Sequence, residues 1–171
     1  FPSDYGDAVE ITVGWVYTFE DSGISIDVGV SRFDILPVGK ISDDDVTQPF
    51  IEISREWQIA EIHTIAPYAR FEVLWADGGD PNGETYIHFG TTYDIELTED
   101  LSLSQKFDVC YDPGMFGFDS GFVGGYEVGL GLDLDSVHID LLQVRISTPL
   151  ESLDDDRGTE VVFGIGVSFR F

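Results

Sequence analysis

The chain of 171 residues has little of three things: cysteine, methionine and positive charge. Its single cysteine, Cys110, cannot form an internal disulfide, so pairing says nothing about the redox compartment. Lys and Arg number 8 against 33 Asp and Glu, and a formal net charge of −25 repels the phosphate backbone of nucleic acids. No apolar run reaches the roughly 18 to 20 residues that a transmembrane helix needs. Nucleic-acid binding and helical membrane spans are therefore not expected.

The residues that are abundant favour β-structure. Hydrophobic residues make up 43% of the chain and aromatic residues 13%, with 19 glycines, a mix that suits strands better than helices. From residue 9 to residue 19 apolar side chains occupy every odd position, while Glu10, Thr12 and Gly14 lie between them. Alternation over this length predicts a strand with one apolar face and one polar face.

The same alternation recurs along the chain and defines nine candidate strands. They cover residues 9–19, 24–31, 51–59, 70–75, 87–97, 101–111, 126–135, 137–147 and 160–171. Most exceed the usual length of about 5 to 6 residues and approach the roughly 9 to 11 that a tilted, membrane-crossing strand needs. In the eighth segment the phase slips at Leu141 and Leu142, which predicts a β-bulge.

The connections between these segments alternate in length. Short ones fall at residues 20–23, 61–63, 98–100 and 135–136, and long ones at 34–48, 76–84, 112–121 and 148–158. Short turns at one rim and long loops at the other are typical of outer-membrane barrels. We therefore predict one all-β domain over residues 1–171, an antiparallel up-and-down transmembrane β-barrel of about 8 to 10 strands. Because bacterial single-chain barrels have even counts, eight or ten strands are expected rather than nine.

The last strand carries a sequence signal of its own. Phe171 is preceded two residues earlier by Phe169, and Gly166 lies three residues before that. This pattern resembles the C-terminal assembly signal of Gram-negative outer-membrane β-barrel proteins, although Gly164 stands where that family usually has a polar residue. The resemblance covers the whole chain as architecture but only the last strand as a motif. It implies location in the cell outer membrane and recognition by the barrel-assembly machinery.

On this interpretation the apolar face meets lipid. Aromatic residues fall near both ends of the strands, where amphipathic rings suit the level of the lipid headgroups. Three arginines also lie on or near the apolar phase and are expected towards the long loops, where they can snorkel or bind lipopolysaccharide phosphates. The predicted interface residues are Trp57, Trp75, Tyr93, Tyr111, Arg32, Arg55 and Arg145.

The polar phase would then line the lumen. The predicted lumen acids are Glu10, Asp27, Glu52, Glu56, Glu72, Asp94, Asp108, Glu127 and Asp133, and the predicted bases are Arg70, Lys106 and Arg170. In a barrel of about eight strands the side chains nearly fill the interior, so the lumen is either a satisfied polar core or a narrow cation-preferring path. A structural or lipid-contacting role and a porin-like role both remain open, as does assembly into a homo-oligomer or with another membrane partner.

Two kinds of chemical site were also considered. Asp77, Asp80, Asn82 and Glu84 offer oxygen ligands for a hard cation such as Ca²⁺, although their spacing does not match the EF-hand loop. Apart from this Ca²⁺ hypothesis, no cofactor is predicted. No enzymatic activity is predicted either, because no nucleophile has an identifiable oriented base. His88 should point inward and approach Asp108 if the strand register allows.

Period two alone does not say which face is outside. A soluble barrel of lipocalin type would turn the apolar face inward to bind a ligand. A secreted fibre or adhesin subunit would use strand edges or loops for assembly. Strand length, loop rhythm and the last strand favour the membrane barrel over both alternatives.

Overall fold

The computed structural model describes residues 8–35, 45–78, 82–113, 120–134, 137–150 and 158–169. These residues form ten β-strands and no helix, so none of them belongs to a helix long and apolar enough to cross a membrane. The strands are β1 (Ala8–Phe19), β2 (Ile24–Ile35), β3 (Val46–Arg55), β4 (Trp57–Ala60), β5 (His63–Ala76), β6 (Asn82–Glu96), β7 (Leu101–Asp112), β8 (Gly121–Leu134), β9 (Val137–Pro149) and β10 (Glu160–Phe169). The predicted all-β class is confirmed.

All strands belong to one antiparallel sheet that curves into a half-barrel. Its order is β1-β2-β3-β5-β6-β7-β8-β9-β10, with β4 pairing β5 beyond the end of β3. The strand is interrupted at Glu56, between β3 and β4. Because β3 and β4 both pair with β5, they share one position in the sheet. The sheet therefore has nine positions, which match the nine predicted segments rather than an even count. No strand of the described residues pairs with the outer edge of β1 or of β10.

The hairpins form because turn residues interrupt the alternation. At the β1–β2 turn Gly23 has a φ of 65°, which favours glycine, and its amide donates a hydrogen bond to the carbonyl of Phe19. A second tight turn at residues 61–62 joins β4 to β5 as predicted. The ends of β2 and β5 and the starts of β3 and β6 lie at the opposite rim. We call the two edges of the sheet the short-turn rim and the long-connection rim.

The predicted bulge in the eighth segment is confirmed. Leu130 of β8 pairs with Leu142, but the next residue, Gly131, pairs with Asp140, so one residue of β9 is left over. The β10 register shifts at the same place, between Gly164 and Gly166. An extra residue in a strand exchanges the two faces beyond it. The bulge therefore lets His138 and Asp140 share a face with Gln143 and Arg145.

Several strands are longer than the sequence predicts. β5 begins at His63 rather than at residue 70, and β8 begins at Gly121 rather than at residue 126. In β5, Pro67 pairs with Thr91 within the sheet. Because proline normally argues against a strand, the sequence pattern did not predict the first half of β5. In β8, Gly124 and Gly125 have the same effect.

The two faces of the sheet differ sharply. Large apolar side chains on one face are exposed, from Tyr111 at 37% to Ile165 at 83%. The polar phase lies inside the curve, where side chains from neighbouring strands crowd one another. We call these the outer face and the inner face. One part of the inner face is apolar: Val46, Leu74 and Ala76 form a buried cluster at the long-connection rim, with Tyr86 packed against it.

Candidate functional site

The centre of the inner face holds charged side chains that are almost fully buried. Glu72 is 8% exposed and Asp108 is 5% exposed. Burying a charge is costly unless it is paired and hydrogen-bonded. The arrangement around these two carboxylates shows how the fold meets that requirement.

Arg70 of β5 is the partner of Glu72. Its Nε contacts the Glu72 carboxylate, and its Nη1 lies 3.8 Å from Oε2 of Glu52 on β3. The guanidinium also stacks on Phe50, with its carbon 3.8 Å from the ring centre. The Phe50 ring fits because Gly29 on the adjacent strand has no side chain: a Cβ there would lie 2.6 Å from the ring. One arginine thus joins two acids and an aromatic ring, as guanidinium groups favour.

Arg145 of β9 plays the same part for Asp108 of β7. Its Nη2 donates to both carboxylate oxygens of Asp108, at 3.0 and 2.9 Å, and its Nη1 lies 3.5 Å from Oε2 of Glu127. The predicted place of Arg145 at the lipid interface is wrong. The β9 bulge reverses the phase of the strand beyond it, so this arginine points inward.

His88 of β6 links the two arginine clusters. Its Nε2 lies 3.8 Å from Oε2 of Glu72, and its Nδ1 lies 3.5 Å from Oδ2 of Asp108, so the register brings His88 to Asp108 as expected. The Cys110 sulfur lies 3.6 Å from the same Nε2. A chain of contacts therefore runs across the sheet from β3 to β9. We call it the central network, and its members are Glu52, Arg70, Glu72, His88, Asp108, Arg145 and Glu127.

Two polar atoms beside the central network lack a hydrogen-bond partner among the described residues. They are the hydroxyl of Tyr68 and Oδ1 of Asp27, both fully shielded from solvent. The Lys106 ammonium lies 4.7 Å from the centre of the Tyr68 ring, and a Cβ on Gly90 would lie 2.6 Å from the Tyr68 hydroxyl. Buried groups of this kind are normally satisfied by ordered water or an ion.

The short-turn rim of the inner face is arranged differently. Nδ1 of His138 lies 2.8 Å from Oδ1 of Asp133, and its Nε2 lies 3.3 Å from Oδ1 of Asp140. Gly131 makes room for the ring, because a Cβ there would lie 2.6 Å from it. Asp94 lies at the same rim, opposite Ser104. No arginine or lysine ion pair occurs at this rim among the described residues.

The other predicted lumen residues lie away from these clusters. Glu10 is exposed on edge strand β1 and accepts a hydrogen bond from Thr12. Glu56 sits exposed at the break between β3 and β4, where its amide donates to the carbonyl of Gly23. Arg170 lies outside the described residues. The sequence pattern did not predict Tyr68 on the inner face, because the predicted strand began only at residue 70. It did not predict Arg145 there either, because of the bulge in β9.

The predicted aromatic interface residues fall at two levels of the outer face. Trp57 and Tyr93 flank Ile65 near the short-turn rim, and Tyr93 also hydrogen-bonds Nδ1 of His63 at 2.6 Å. Trp75 and Tyr111 lie near the long-connection rim, at the ends of β5 and β7. Two separate levels of rings are what two interfacial belts require.

Arg55, on the outer face, is not where the sequence placed it. It pairs with Ile24 beside the short β1–β2 turn, and its guanidinium lies 5.3 Å from the centre of the Trp57 ring. The prediction that it lies near the long loops is therefore wrong, because β3 runs away from that rim.

Arg32 does lie near the long-connection rim, where it organises the start of the predicted cation loop. It donates to both carboxylate oxygens of Asp77, at 3.0 and 2.7 Å, and lies 3.3 Å from Oδ2 of the buried Asp45. The hydrogen bond from Arg32 holds the pKa of Asp77 below its usual range.

The remaining predicted cation ligands can be placed only in part. Glu84 is exposed on β6, Asn82 is the first residue of that strand, and Asp80 lies outside the described residues. Within the described ranges no group of three or more His, Cys, Asp or Glu side chains is arranged to hold a metal ion. The Ca²⁺ site stays a prediction, and the engagement of Asp77 by Arg32 competes with it.

The last strand places part of the predicted assembly signal. Phe169 pairs with Val137 on the outer face and is exposed. Gly166 faces inward, where a Cβ would lie 2.8 Å from the Asp140 carboxylate. Phe171 lies outside the described residues.

Comparisons with family models, curated proteins and solved structures found no match to this chain. The sheet, its two faces and the central network are therefore the basis for a functional proposal.

Proposed function

We propose that this chain is an integral β-barrel protein of the bacterial outer membrane, with its outer face in lipid and its inner face lining the lumen. The observation that carries the proposal is the exposed apolar outer face. Trp15 is 74% exposed, Phe163 71% and Ile165 83%, and they belong to a face that extends over every strand of the half-barrel. At about 25 cal/mol per Å² of apolar surface, leaving such a face in water is strongly unfavourable. Lipid hydrocarbon removes that cost.

The inner face supports the same proposal from the other side. Its central buried positions hold Glu72, Asp108 and Tyr68, and its apolar cluster is confined to the long-connection rim, whereas a lipocalin-type interior would be lined by the apolar phase of every strand. The charged side chains there form ion pairs with one another, so they are stabilised inside the barrel without exposure to the surrounding lipid. Polar inside and apolar outside is the arrangement of transmembrane β-barrels.

A cation-preferring path is the second candidate, favoured by the charge of the inner face. Arg70 and Arg145 form ion pairs with the acids of the central network. At the short-turn rim Asp133 and Asp140 contact His138 instead, and Asp94 lies opposite Ser104, with no arginine or lysine ion pair to any of the three among the described residues. A lumen with excess carboxylates attracts cations and repels anions. Reversal potentials in planar bilayers under a KCl gradient measure this preference, and an anion preference would contradict it.

The three tryptophans allow a direct test of the lipid face, because all three lie on it. Their positions along the strand direction can be compared on β5. Trp57 pairs with Ile65, Trp15 is connected through the pairs of β2 and β3 to Phe71, and Trp75 belongs to β5 itself. Trp15 thus lies between the other two along the strands. Single-tryptophan variants, with the other two tryptophans replaced by phenylalanine, are reconstituted with phospholipids brominated at different depths of the acyl chain.

We expect deep bromines to quench Trp15 most strongly, and shallow bromines to quench Trp57 and Trp75. The matched control is Tyr68→Trp in a tryptophan-free background, because position 68 lies on the inner face and lipid bromines should leave it unquenched. Equal quenching at all four positions, or a protein that stays in solution without detergent, would overturn the proposal. The protein should also migrate differently on SDS gels before and after boiling.

A further inference from the structure

The two edges of the half-barrel are long and open. β1 has 12 residues and β10 has 10, and each pairs along only one side within the described residues. The other side of each strand presents a row of backbone N–H and C=O groups. In a lipid bilayer such groups must be paired, because the hydrocarbon offers no substitute for water.

Beyond their ends at the long-connection rim, neither edge carries the features that keep edge strands apart. Natural edges are commonly protected by lysine, proline, inward-pointing charges or bulges that twist the strand away. Ala8–Phe19 contains no proline, lysine or arginine, and Glu160–Phe169 contains none either. The charged residues in these strands are Glu10 and Glu160, both close to the long-connection rim. The edges are therefore suited to pairing rather than to solvent.

The direction of the strands limits what can pair with them. The sheet has nine antiparallel positions, so β1 and β10 run in the same direction, from the long-connection rim to the short-turn rim. A second copy turned by half a rotation about the barrel axis places its β10 beside β1, in parallel, and its β1 beside β10. This rotation keeps the long connections of both copies at one rim, which a membrane protein of fixed orientation requires.

The faces of the two edges also match. Outward from β1 point Ile11, Val13 and Trp15, and outward from β10 point Phe163 and Ile165, all exposed. Most of their inward positions are small, with Gly14 and Thr18 around Val16 on one strand and Gly164, Gly166 and Ser168 beyond Val162 on the other. A seam between them would continue the apolar belt outside and leave the lumen unobstructed inside.

From these observations we infer that two copies of this chain close one barrel, each supplying a half, through two parallel β1–β10 seams. The curvature favours a second copy over closure by the same chain, because nine positions turn through only half a barrel. The inference rests on the proposed membrane function. It also extends it: two sets of nine positions give a barrel of about 18 strands, a size that leaves an aqueous channel.

Cysteine cross-linking between differently tagged copies tests the seam. Both copies carry Cys110→Ala, which removes the native cysteine, and one copy also carries Val13→Cys. The other copy carries one β10 substitution at a time, Val161→Cys, Phe163→Cys, Ile165→Cys or Val167→Cys, so that the register between β1 and β10 is determined by which pair forms a disulfide. All four β10 positions lie on the outer face, as Val13 does. We expect oxidation to link the two tags at one or two neighbouring positions only. The control is Phe71→Cys, an outer-face position in the middle of the sheet, which should give no link.

Other outcomes identify the alternatives. With Val13→Cys and the best β10 cysteine in the same chain, a disulfide within a product of 19.0 kDa would mean closure by one chain and would overturn the inference. No link at any position, with a monomer by light scattering in detergent, would mean that another strand covers the edges, and would also overturn it. A linked dimer whose tryptophans show no lipid quenching would support the seam while contradicting the membrane function.

Discussion

The centre of the inner face and its short-turn rim use the same kinds of side chain but balance their charges differently. At the centre, Arg70 and Arg145 each contact two carboxylates. Arg70 also stacks on a phenylalanine ring, and Arg145 uses both of its Nη atoms. At the rim, His138 alone stands between Asp133 and Asp140, and the Asp133 side chain is 45% exposed. The centre is a shielded network, whereas the rim is a partly hydrated cluster of acids.

The difference follows from solvent access. A carboxylate as buried as Asp108 is too costly without a permanent cation, and an arginine stays charged at every accessible pH. At the rim, water and counterions can stabilise the acids, so a histidine suffices. Mutations at the centre should therefore cost stability, while mutations at the rim should cost much less and act mainly on the local potential.

The largest effect is expected at Arg145. In Arg145→Met the carboxylate of Asp108 loses both hydrogen bonds from Nη2 while remaining buried, and breaking a buried ion pair from one side costs about 3 to 5 kcal/mol. Urea unfolding of the reconstituted protein measures this cost. Arg145→Lys should recover only part of it, because an ammonium does not reproduce the two-oxygen contact. Arg145→Met with Asp108→Asn should lose less than Arg145→Met alone. A loss below about 1 kcal/mol in Arg145→Met would show that water reaches the centre.

A slightly smaller effect is expected at Gly125, which makes the same ion pair possible. A Cβ at Gly125 would lie 2.2 Å from Oδ1 of Asp108 and 2.5 Å from Nη2 of Arg145. Gly125→Ala must therefore displace the pair, and overpacking of this kind costs about 1 to 3 kcal/mol. The matched control is Gly129→Ala in the same strand, where the nearest atom would be 3.8 Å away. Equal unfolding free energies for the two variants would contradict the packing at the centre.

The sequence predicted the strands better than it predicted the network. Period two placed Glu72, Asp108 and Arg70 on one face, because strict alternation is enough for that. It also predicted the bulge at Leu141, but not the consequence that Arg145 moves to the inner face. The partners of a network depend on register between strands far apart in the chain, and alternation does not encode register.

The closure of the sheet was also beyond the sequence pattern. Nine segments were readable, yet an even-numbered closed barrel was expected from the general rule. The structure instead has β3 and β4 sharing one position, and open edges at β1 and β10 within the described residues. Curvature is set by packing on both faces of many strands together, so no single segment reveals it.

At the short-turn rim we expect His138→Gln to change stability by no more than about 1 kcal/mol, since its partners are partly hydrated. The same variant removes the one side chain among the described residues that can become a cation between Asp133 and Asp140. It should therefore raise cation preference in the reversal-potential measurement, because glutamine cannot carry the positive charge that an imidazole can. A loss as large as that of Arg145→Met would mean that the rim is as shielded as the centre.

The smallest effect is expected from the exposed Arg32–Asp77 pair on the outer side of the long-connection rim. Arg32 lowers the pKa of Asp77 below its usual value of 3.8, so the folded state holds the carboxylate ionised to lower pH than the unfolded state does. The stabilisation is fully present above the unfolded pKa and is lost as pH falls through the lower folded pKa. Wild type should thus lose slightly more stability than Asp77→Asn between pH 5 and pH 3, and 1 M salt should narrow the gap. If Asp77→Asn instead removes as much stability as Arg145→Met, solvent access does not explain the difference between the centre and the rims, and the arginine pairs act alike wherever they lie.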